Sequence, residues 1–194
     1  MNASDDSSWG YDRVCEAYAA ARQATGVGLV ERWAARLPKG AAVLDVGAGT
    51  GWPLTAVLVG VGLDVFAIDP SPRMVARLTA RFPGLPVRCE AAEESAFFGR
   101  RFGGVLMVGV VFLPPREAQP ALIARVAGAV APGGSLLFSA PEEEGDWRDI
   151  LTGLPSASLG RAGYASALTE AGLRLGATHR DDGGNHYYEA VRPA

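Results

Sequence analysis

Short apolar runs alternate with amphipathic stretches along most of this chain. Residues 41–46 and 64–69 are apolar runs of the length expected for buried strands of a parallel sheet. Stretches with helical spacing occur between the runs, over residues 53–59, 72–81 and 117–130. The alternation predicts an α/β domain whose sheet is mainly parallel.

The two ends of the chain show different patterns. Apolar and aromatic residues recur at helical spacing between residues 9 and 37, with a break near Gly26, and predict two helices before the first strand. A glycine- and proline-marked stretch covers residues 141–160, and a helix is predicted over 161–171. Residues 174–179 and 185–191 flank a turn-forming segment and predict a terminal β-hairpin.

Length and composition limit the organisation of the protein. A chain of 194 residues suits one α/β domain. We expect residues 1–8 to be disordered and residues 9–194 to form a single domain, with a helical lid at 9–38 and a core at 40–192. The polar, acidic start lacks the parts of a secretion signal, and this predicts a cytoplasmic protein.

Charge and cysteine content indicate which classes of partner and ligand the protein is expected to bind. The formal net charge is −3, Lys39 is the single lysine, and the arginines are not clustered, so no nucleic-acid partner is expected. Two cysteines form no set of metal ligands, and no metal is expected. Since no apolar run reaches the 18 or so residues of a membrane span, no membrane partner is expected either.

The strongest chemical signal follows the first predicted strand. Glycines at 47, 49 and 51 allow the turn to adopt positive φ and let a ligand lie against the bare main chain. A dinucleotide fingerprint needs a further glycine three places after the second, where Trp52 stands. A pyrophosphate loop therefore fits poorly, and another nucleotide cofactor on a similar sheet stays an alternative.

A second acid falls at the spacing that a nucleoside site requires. Asp69 ends the second predicted strand, 22 residues after Gly47. A carboxylate about 20 residues after the glycine loop can accept hydrogen bonds from both ribose hydroxyls. Ser71 then suits a helix N-cap, and Pro72 suits the first helical position.

These segments together carry a family resemblance. The run Asp45-x-Gly47-x-Gly49-x-Gly51 resembles the first motif of class I S-adenosylmethionine (SAM)-dependent methyltransferases. Residues 87–95 resemble the third motif, with Glu90 or Glu93 substituting for the usual acid. The resemblance covers residues 40–192 and implies a Rossmann-like three-layer sandwich, with a seven-stranded, mainly parallel sheet whose last strand is antiparallel. It also implies SAM as cofactor and S-adenosylhomocysteine as product.

The resemblance also implies a set of binding residues. The residues expected to bind the cofactor are Asp45, Gly47, Ala48, Gly49, Gly51, Asp69, Pro70, Met74, Ala92, Glu93 and Val108, with Tyr18 and Arg22 from the N-terminal helices. The alternative for the N-terminal aromatics is ordinary core packing. His186 is the candidate base toward an acceptor, and packing at a strand end is its alternative.

Methyl transfer from a sulfonium is an in-line displacement that needs positioning and exclusion of water more than a nucleophilic side chain. We therefore expect a methyltransferase acting on a small-molecule acceptor, as a monomer or homodimer. Phe112 and Trp147 are candidates for an apolar cover or for ordinary packing. A nucleic-acid or protein methyltransferase of the same fold and a non-catalytic SAM-binding regulator are the alternatives.

Overall fold

A computed structural model describes residues 6–194. The strands are β1 (Ala42–Val46), β2 (Asp64–Asp69), β3 (Val87–Cys89), β4 (Phe102–Met107), β5 (Val130–Ser139), β6 (Glu144–Arg148), β7 (Pro155–Leu159), β8 (Arg174–Arg180) and β9 (His186–Val191). The helices are α1 (Cys15–Ala21), α2 (Val27–Ala34), α3 (Leu54–Gly60), α4 (Pro72–Arg81), α5 (Gln119–Gly128) and α6 (Gly160–Glu170). No helix within residues 6–194 combines the length and the apolar character needed to cross a bilayer.

Seven of these strands form one sheet in the order β3-β2-β1-β4-β5-β9-β8. Strands β1 to β5 pair in parallel, and β9 runs antiparallel to both β5 and β8. The predicted seven-stranded sheet with an antiparallel last strand is confirmed. The strand order reverses between β1 and β4, and a ligand site is expected beyond the carboxyl ends of these two strands.

Helices cover both faces of the sheet and form the two outer layers. Because neighbouring strand residues point to opposite faces, Val43 packs with α2 and α3, whereas Leu44 packs with α5 and α6. Trp33 of α2 is 2% exposed, and its indole Nε1–H donates to Ser135 Oγ at 3.0 Å. That bond satisfies the polar atom of a large side chain in the core, as burial requires.

The sequence marks residues 141–160 by glycine and proline and predicts no strand there. The structure contains a separate two-stranded sheet, β6–β7, in this stretch. Three of the five residues of β6 are charged, so the strand lacks the apolar alternation that reveals most strands. Asp149 closes the turn, since its Oδ1 accepts the N–H groups of Leu151 at 3.0 Å and Thr152 at 2.7 Å. The Arg116 side chain contacts Glu144 at 3.1 Å and thereby ties the hairpin to the segment before α5.

The N-terminal segment forms turns before α1 begins at Cys15. Residues 1–5 of the segment predicted to be disordered lie outside the described residues. Asp6 and Ser8, from the same predicted segment, form a turn, and the disorder of residues 1–8 stays a prediction. Asp6 Oδ1 accepts the Ser8 N–H at 2.9 Å, and Asp6 Oδ2 accepts the Gly10 N–H at 3.1 Å. The division into a lid at 9–38 and a core at 40–192 stays a prediction.

Candidate functional site

A cavity of about 920 Å³ lies beyond the carboxyl ends of β1, β2 and β4. Its volume is near the upper end of the roughly 300–1,000 Å³ of small-molecule sites. The walls come from the loops after β1, β2, β4 and β5, the start of β9, the N-terminal turns and the β6–β7 hairpin. The cavity therefore occupies the position that the reversal of strand order indicates.

The glycine loop after β1 brings bare main chain to the cavity floor. Gly47 has φ +70°, and a Cβ there would lie 2.3 Å from Val110 Cγ2. Gly49 has φ +58°, and a Cβ would lie 3.5 Å from the Tyr18 ring. The positive φ favours glycine at both positions, and at Gly47 the close approach of Val110 also excludes a side chain.

Asp69 anchors the glycine loop to the end of β2. The carboxylate is 7% exposed, with Oδ2 accepting the Gly49 N–H at 2.8 Å and Oδ1 accepting the Ser71 N–H at 2.9 Å. Burial raises the pKa of Asp69 to about 6, against the lowering effect of these two bonds, so the group is mostly ionised at neutral pH. Each oxygen can accept a second hydrogen bond, which suits a ligand with two hydroxyls.

A second buried carboxylate lies at the end of β1. Asp45 is 4% exposed, and its Oδ2 accepts the Thr55 Oγ1–H at 2.7 Å. Burial raises the pKa of Asp45 to about 7, and the charge of Asp69 acts in the same direction. A cation bound in the cavity would favour the ionised form of this group.

The first turn of α4 joins the N-terminal segment to this floor. Ser71 Oγ accepts the Met74 N–H at 3.1 Å, so the predicted N-cap is confirmed. The same hydroxyl donates to Asp12 Oδ1 at 2.6 Å. This contact holds the turns before α1 beside the loop that follows β2.

The cavity wall includes nearly all residues expected from the sequence: Tyr18, Arg22, Asp45, Gly47, Ala48, Gly49, Asp69, Pro70, Met74, Ala92, Glu93 and Val108 near the floor, and His186 at the far end. Gly51 differs from the expectation. Its φ is +75°, and a Cβ there would lie 3.0 Å from the Phe82 ring, so this glycine permits close packing behind the loop.

His186 lies at the start of β9 and is 7% exposed. Its Nδ1 is 3.2 Å from Glu142 Oε2, but not in a direction that makes a hydrogen bond. Within residues 6–194, neither ring nitrogen has a hydrogen-bond partner. Burial lowers the pKa of His186, with Glu142 opposing the shift, so the imidazole is neutral at neutral pH.

Two segments, the N-terminal turns and the β6–β7 hairpin, close the cavity from above. The Tyr11 hydroxyl donates to Asp149 Oδ2 at 2.9 Å, which joins the N-terminal turns to the β6–β7 hairpin. Phe112 and Trp147 pack against each other with ring centroids 5.4 Å apart, and both line the cavity. The turn-forming residues between Asp149 and Gly153 were the available signal for this hairpin.

The described part of the chain contains no group of three or more His, Cys, Asp or Glu side chains placed to hold a metal ion. The polar groups that line the cavity include main-chain groups, carboxylates, hydroxyls, one histidine and the guanidinium groups of Arg22 and Arg180.

Comparison with known proteins gives a family match. Residues 43–134 match the family model described as a methyltransferase domain. An uncharacterized methyltransferase of Mycobacterium tuberculosis is 37% identical over 108 residues, which cover 54% of this chain and 42% of the relative. The chain thus spans less than half the length of the curated relatives it matches.

Solved structures extend the likeness to the whole fold. An amino pentose methyltransferase from Micromonospora echinaspora, solved with SAM bound, superposes with a TM-score of 0.72 at 20% identity, covering 91% of this chain and 95% of that one. The 1,6-didemethyltoxoflavin-N1-methyltransferase of Burkholderia thailandensis gives 0.68 at 21% identity, covering 85% and 79%. At these identities the likeness establishes the fold.

Proposed function

We propose that this chain is a class I SAM-dependent methyltransferase that transfers the methyl group of SAM to a small-molecule acceptor. The proposal rests on one observation, which is that a single cavity contains all the predicted groups named next. It joins the glycine loop and Asp69 at its floor to a buried histidine, His186, at its far end.

The residues of the floor suit a nucleoside with an amino-acid tail. The loop at Gly47 and Gly49 presents bare main chain to the cavity, and Asp69 can accept hydrogen bonds from two ribose hydroxyls. Met74 and Ala92 offer apolar surface for an adenine ring. SAM, when bound, supplies an electrophilic methyl group on a sulfonium.

The cover of the cavity supports a small acceptor. The Tyr11–Asp149 hydrogen bond and the packed rings of Phe112 and Trp147 form part of the cavity's cover. Closure of this kind excludes water and holds two reactants near attack distance, which is the main requirement of methyl transfer. The two solved relatives named above act on an amino pentose and on didemethyltoxoflavin, and both are small molecules.

Calorimetric titration with SAM and with S-adenosylhomocysteine, followed by a turnover assay over a library of small acceptors, tests the proposal. We expect both ligands to bind and one or more acceptors to gain a methyl group by mass spectrometry. Absence of SAM binding would overturn the proposal, and tight NAD binding instead would indicate a dehydrogenase. Binding without turnover of any acceptor would favour a regulator.

A nucleic-acid or protein methyltransferase of the same fold is the second candidate, and methylation of nucleic acid or protein added as acceptor in a parallel assay would favour it. A cytoplasmic location and a monomeric or homodimeric state stay predictions.

A further inference from the structure

We propose that Arg125 of α5 is a positioning residue that fixes the loop after β3, so that this loop reads the edge of the cofactor's adenine ring. The inference rests on the proposed function. It goes beyond that function by naming a residue outside the cavity wall that sets which purine the site accepts, and the groups through which it acts.

Arg125 holds the loop through two hydrogen bonds from one guanidinium. Its Nε–H donates to the Ala92 carbonyl at 3.3 Å, and its Nη2 donates to the Ser95 carbonyl at 2.8 Å. The side chain makes no other hydrogen bond or ion pair within residues 6–194. Because a guanidinium is planar and rigid, it fixes both the separation and the direction of the two carbonyls.

The loop that Arg125 holds forms part of the cavity wall, since Glu90, Ala92 and Glu93 all line it. Other contacts fix its two ends. Ser95 Oγ donates to Glu90 Oε1 at 2.5 Å and accepts the Phe97 N–H at 2.8 Å, and the Phe97 side chain is buried in the core. The Arg125 bond at Ala92 therefore acts on the middle of the loop, which these contacts leave free.

Main-chain donors in the middle of the loop are available to a ligand. The N–H groups of Glu94 and Ser95 both donate to the Ala91 carbonyl, at 3.1 and 2.9 Å. The N–H groups of Ala92 and Glu93 have no partner in the described part of the chain, although Ala92 is only 5% exposed. Main-chain donors at buried positions are rarely left without a partner, and a ligand atom that accepts a hydrogen bond would complete this wall.

Arg125 determines the direction of one of these donors. The C=O and N–H groups of a trans peptide unit point in opposite directions. The unit between Ala92 and Glu93 is trans, and its carbonyl faces Arg125 on α5. Its N–H, which belongs to Glu93, is therefore directed away from α5, to the side on which both residues line the cavity.

The Glu93 side chain supplies an acceptor beside these donors. Its carboxylate has neither a hydrogen bond nor an ion pair to the residues that the structure describes, whereas Glu90 is engaged by Ser95. The edge of adenine carries an acceptor nitrogen, N1, next to an amino donor, and this pattern complements a main-chain N–H next to a carboxylate. Met74 and Ala92, 2% and 5% exposed, offer apolar surface to the faces of the ring.

Three ligands separate the two contacts on the adenine edge. They are S-adenosylhomocysteine, its 6-deamino analogue, which lacks the amino donor, and its 1-deaza analogue, which lacks the N1 acceptor. In calorimetry on the unmodified protein, each analogue should bind roughly tenfold more weakly than S-adenosylhomocysteine, the scale of one hydrogen bond lost from a buried or charged partner. Glu93→Ala should abolish the penalty of the 6-deamino analogue and keep that of the 1-deaza analogue.

Arg125→Met tests the positioning role. We expect the penalties of both analogues to fall to roughly threefold or less, because the donors and the carboxylate no longer keep one direction. A purely structural role would instead weaken all three ligands equally and leave both ratios unchanged. Arg125→Lys, which keeps the charge but not the two-bond fork, should give penalties between those of the unmodified protein and of Arg125→Met.

Arg192→Met is the matched control. Arg192 also donates from Nη2 to a main-chain carbonyl of α5, that of Ala127, at 2.7 Å, and neither residue belongs to the cavity wall or to the loop after β3. This variant should lower the melting temperature, as Arg125→Met does, and should keep both penalties at the values of the unmodified protein.

Unchanged penalties in Arg125→Met and Arg125→Lys, or equal binding of the three ligands by the unmodified protein, would overturn the inference, while binding of S-adenosylhomocysteine would still support the proposed function. Failure of the unmodified protein to bind S-adenosylhomocysteine would overturn both.

Discussion

The hydroxyl of Tyr11 donates a hydrogen bond of 2.9 Å to Asp149 Oδ2, across 138 positions of sequence. It joins the N-terminal turns to the β6–β7 hairpin over the cavity. Burial raises the pKa of Tyr11, and the nearby charge of Asp149 adds to the effect, so the phenol stays a donor throughout the physiological range.

Tyr11→Phe should loosen this closure while keeping the ring that packs against Tyr18 at 5.8 Å. Loss of one hydrogen bond should lower the free energy of unfolding by about 0.5–1.5 kcal/mol. Amide hydrogen exchange should increase over residues 6–14 and over the hairpin, since both lose the same contact. Unchanged exchange in both segments would show that the bond does not hold the cover.

Asp69→Asn should weaken SAM binding. An amide cannot accept both the Gly49 and the Ser71 N–H groups, and it lacks the charge that strengthens bonds from ribose hydroxyls. A loss of roughly 1.5–3 kcal/mol corresponds to about ten- to hundredfold in dissociation constant, measured by calorimetry. Asp64→Asn, at the exposed start of the same strand, is the control and should bind SAM normally. If Asp69→Asn and the unmodified protein bound SAM with equal affinity, Asp69 would not be a SAM-binding residue.

Gly47→Ala tests the space at the cavity floor. The added Cβ would meet Val110 Cγ2 at 2.3 Å, so the loop has to shift and SAM binding should be lost. Gly40 also has φ +70°, but nothing lies within 4 Å of a Cβ there. Gly40→Ala should therefore show only the strain of a left-handed residue, roughly 1–2 kcal/mol in thermal unfolding, with normal binding. Similar behaviour of both variants would contradict a steric role for Gly47.

The buried carboxyl of Asp45 predicts a pH dependence of stability. The pKa of Asp45 is about 7 in the folded protein and near 3.8 in the unfolded chain. The folded chain therefore holds the carboxyl proton more tightly than the unfolded chain does. The contribution of Asp45 to the free energy of unfolding is therefore largest below pH 4, falls between pH 4 and 7, and is lost above 7.

Asp45→Asn should flatten that decline, as measured by denaturant unfolding at several pH values. Asp69, whose pKa is also raised, acts in the same direction and retains part of the slope. An identical slope in the variant and the parent would show that Asp45 is not the titrating group.

The sequence by itself determined the floor of the site. The glycine positions, the N-cap at Ser71 and the acid at the end of β2 depend on backbone conformation and on spacing within one β-α-β unit, and such short-range constraints are visible in the residue pattern. The order of the seven strands required the family resemblance, because strand pairing joins residues far apart in the chain.

Only the tertiary structure decided the cover and the far end of the cavity. Strand β6 carries charges where an apolar alternation would have revealed it, and the pairs Tyr11–Asp149 and Glu142–His186 come from segments that no local pattern connects. Burial also determined the protonation states of Asp45 and His186, because desolvation depends on all the elements packed around a group.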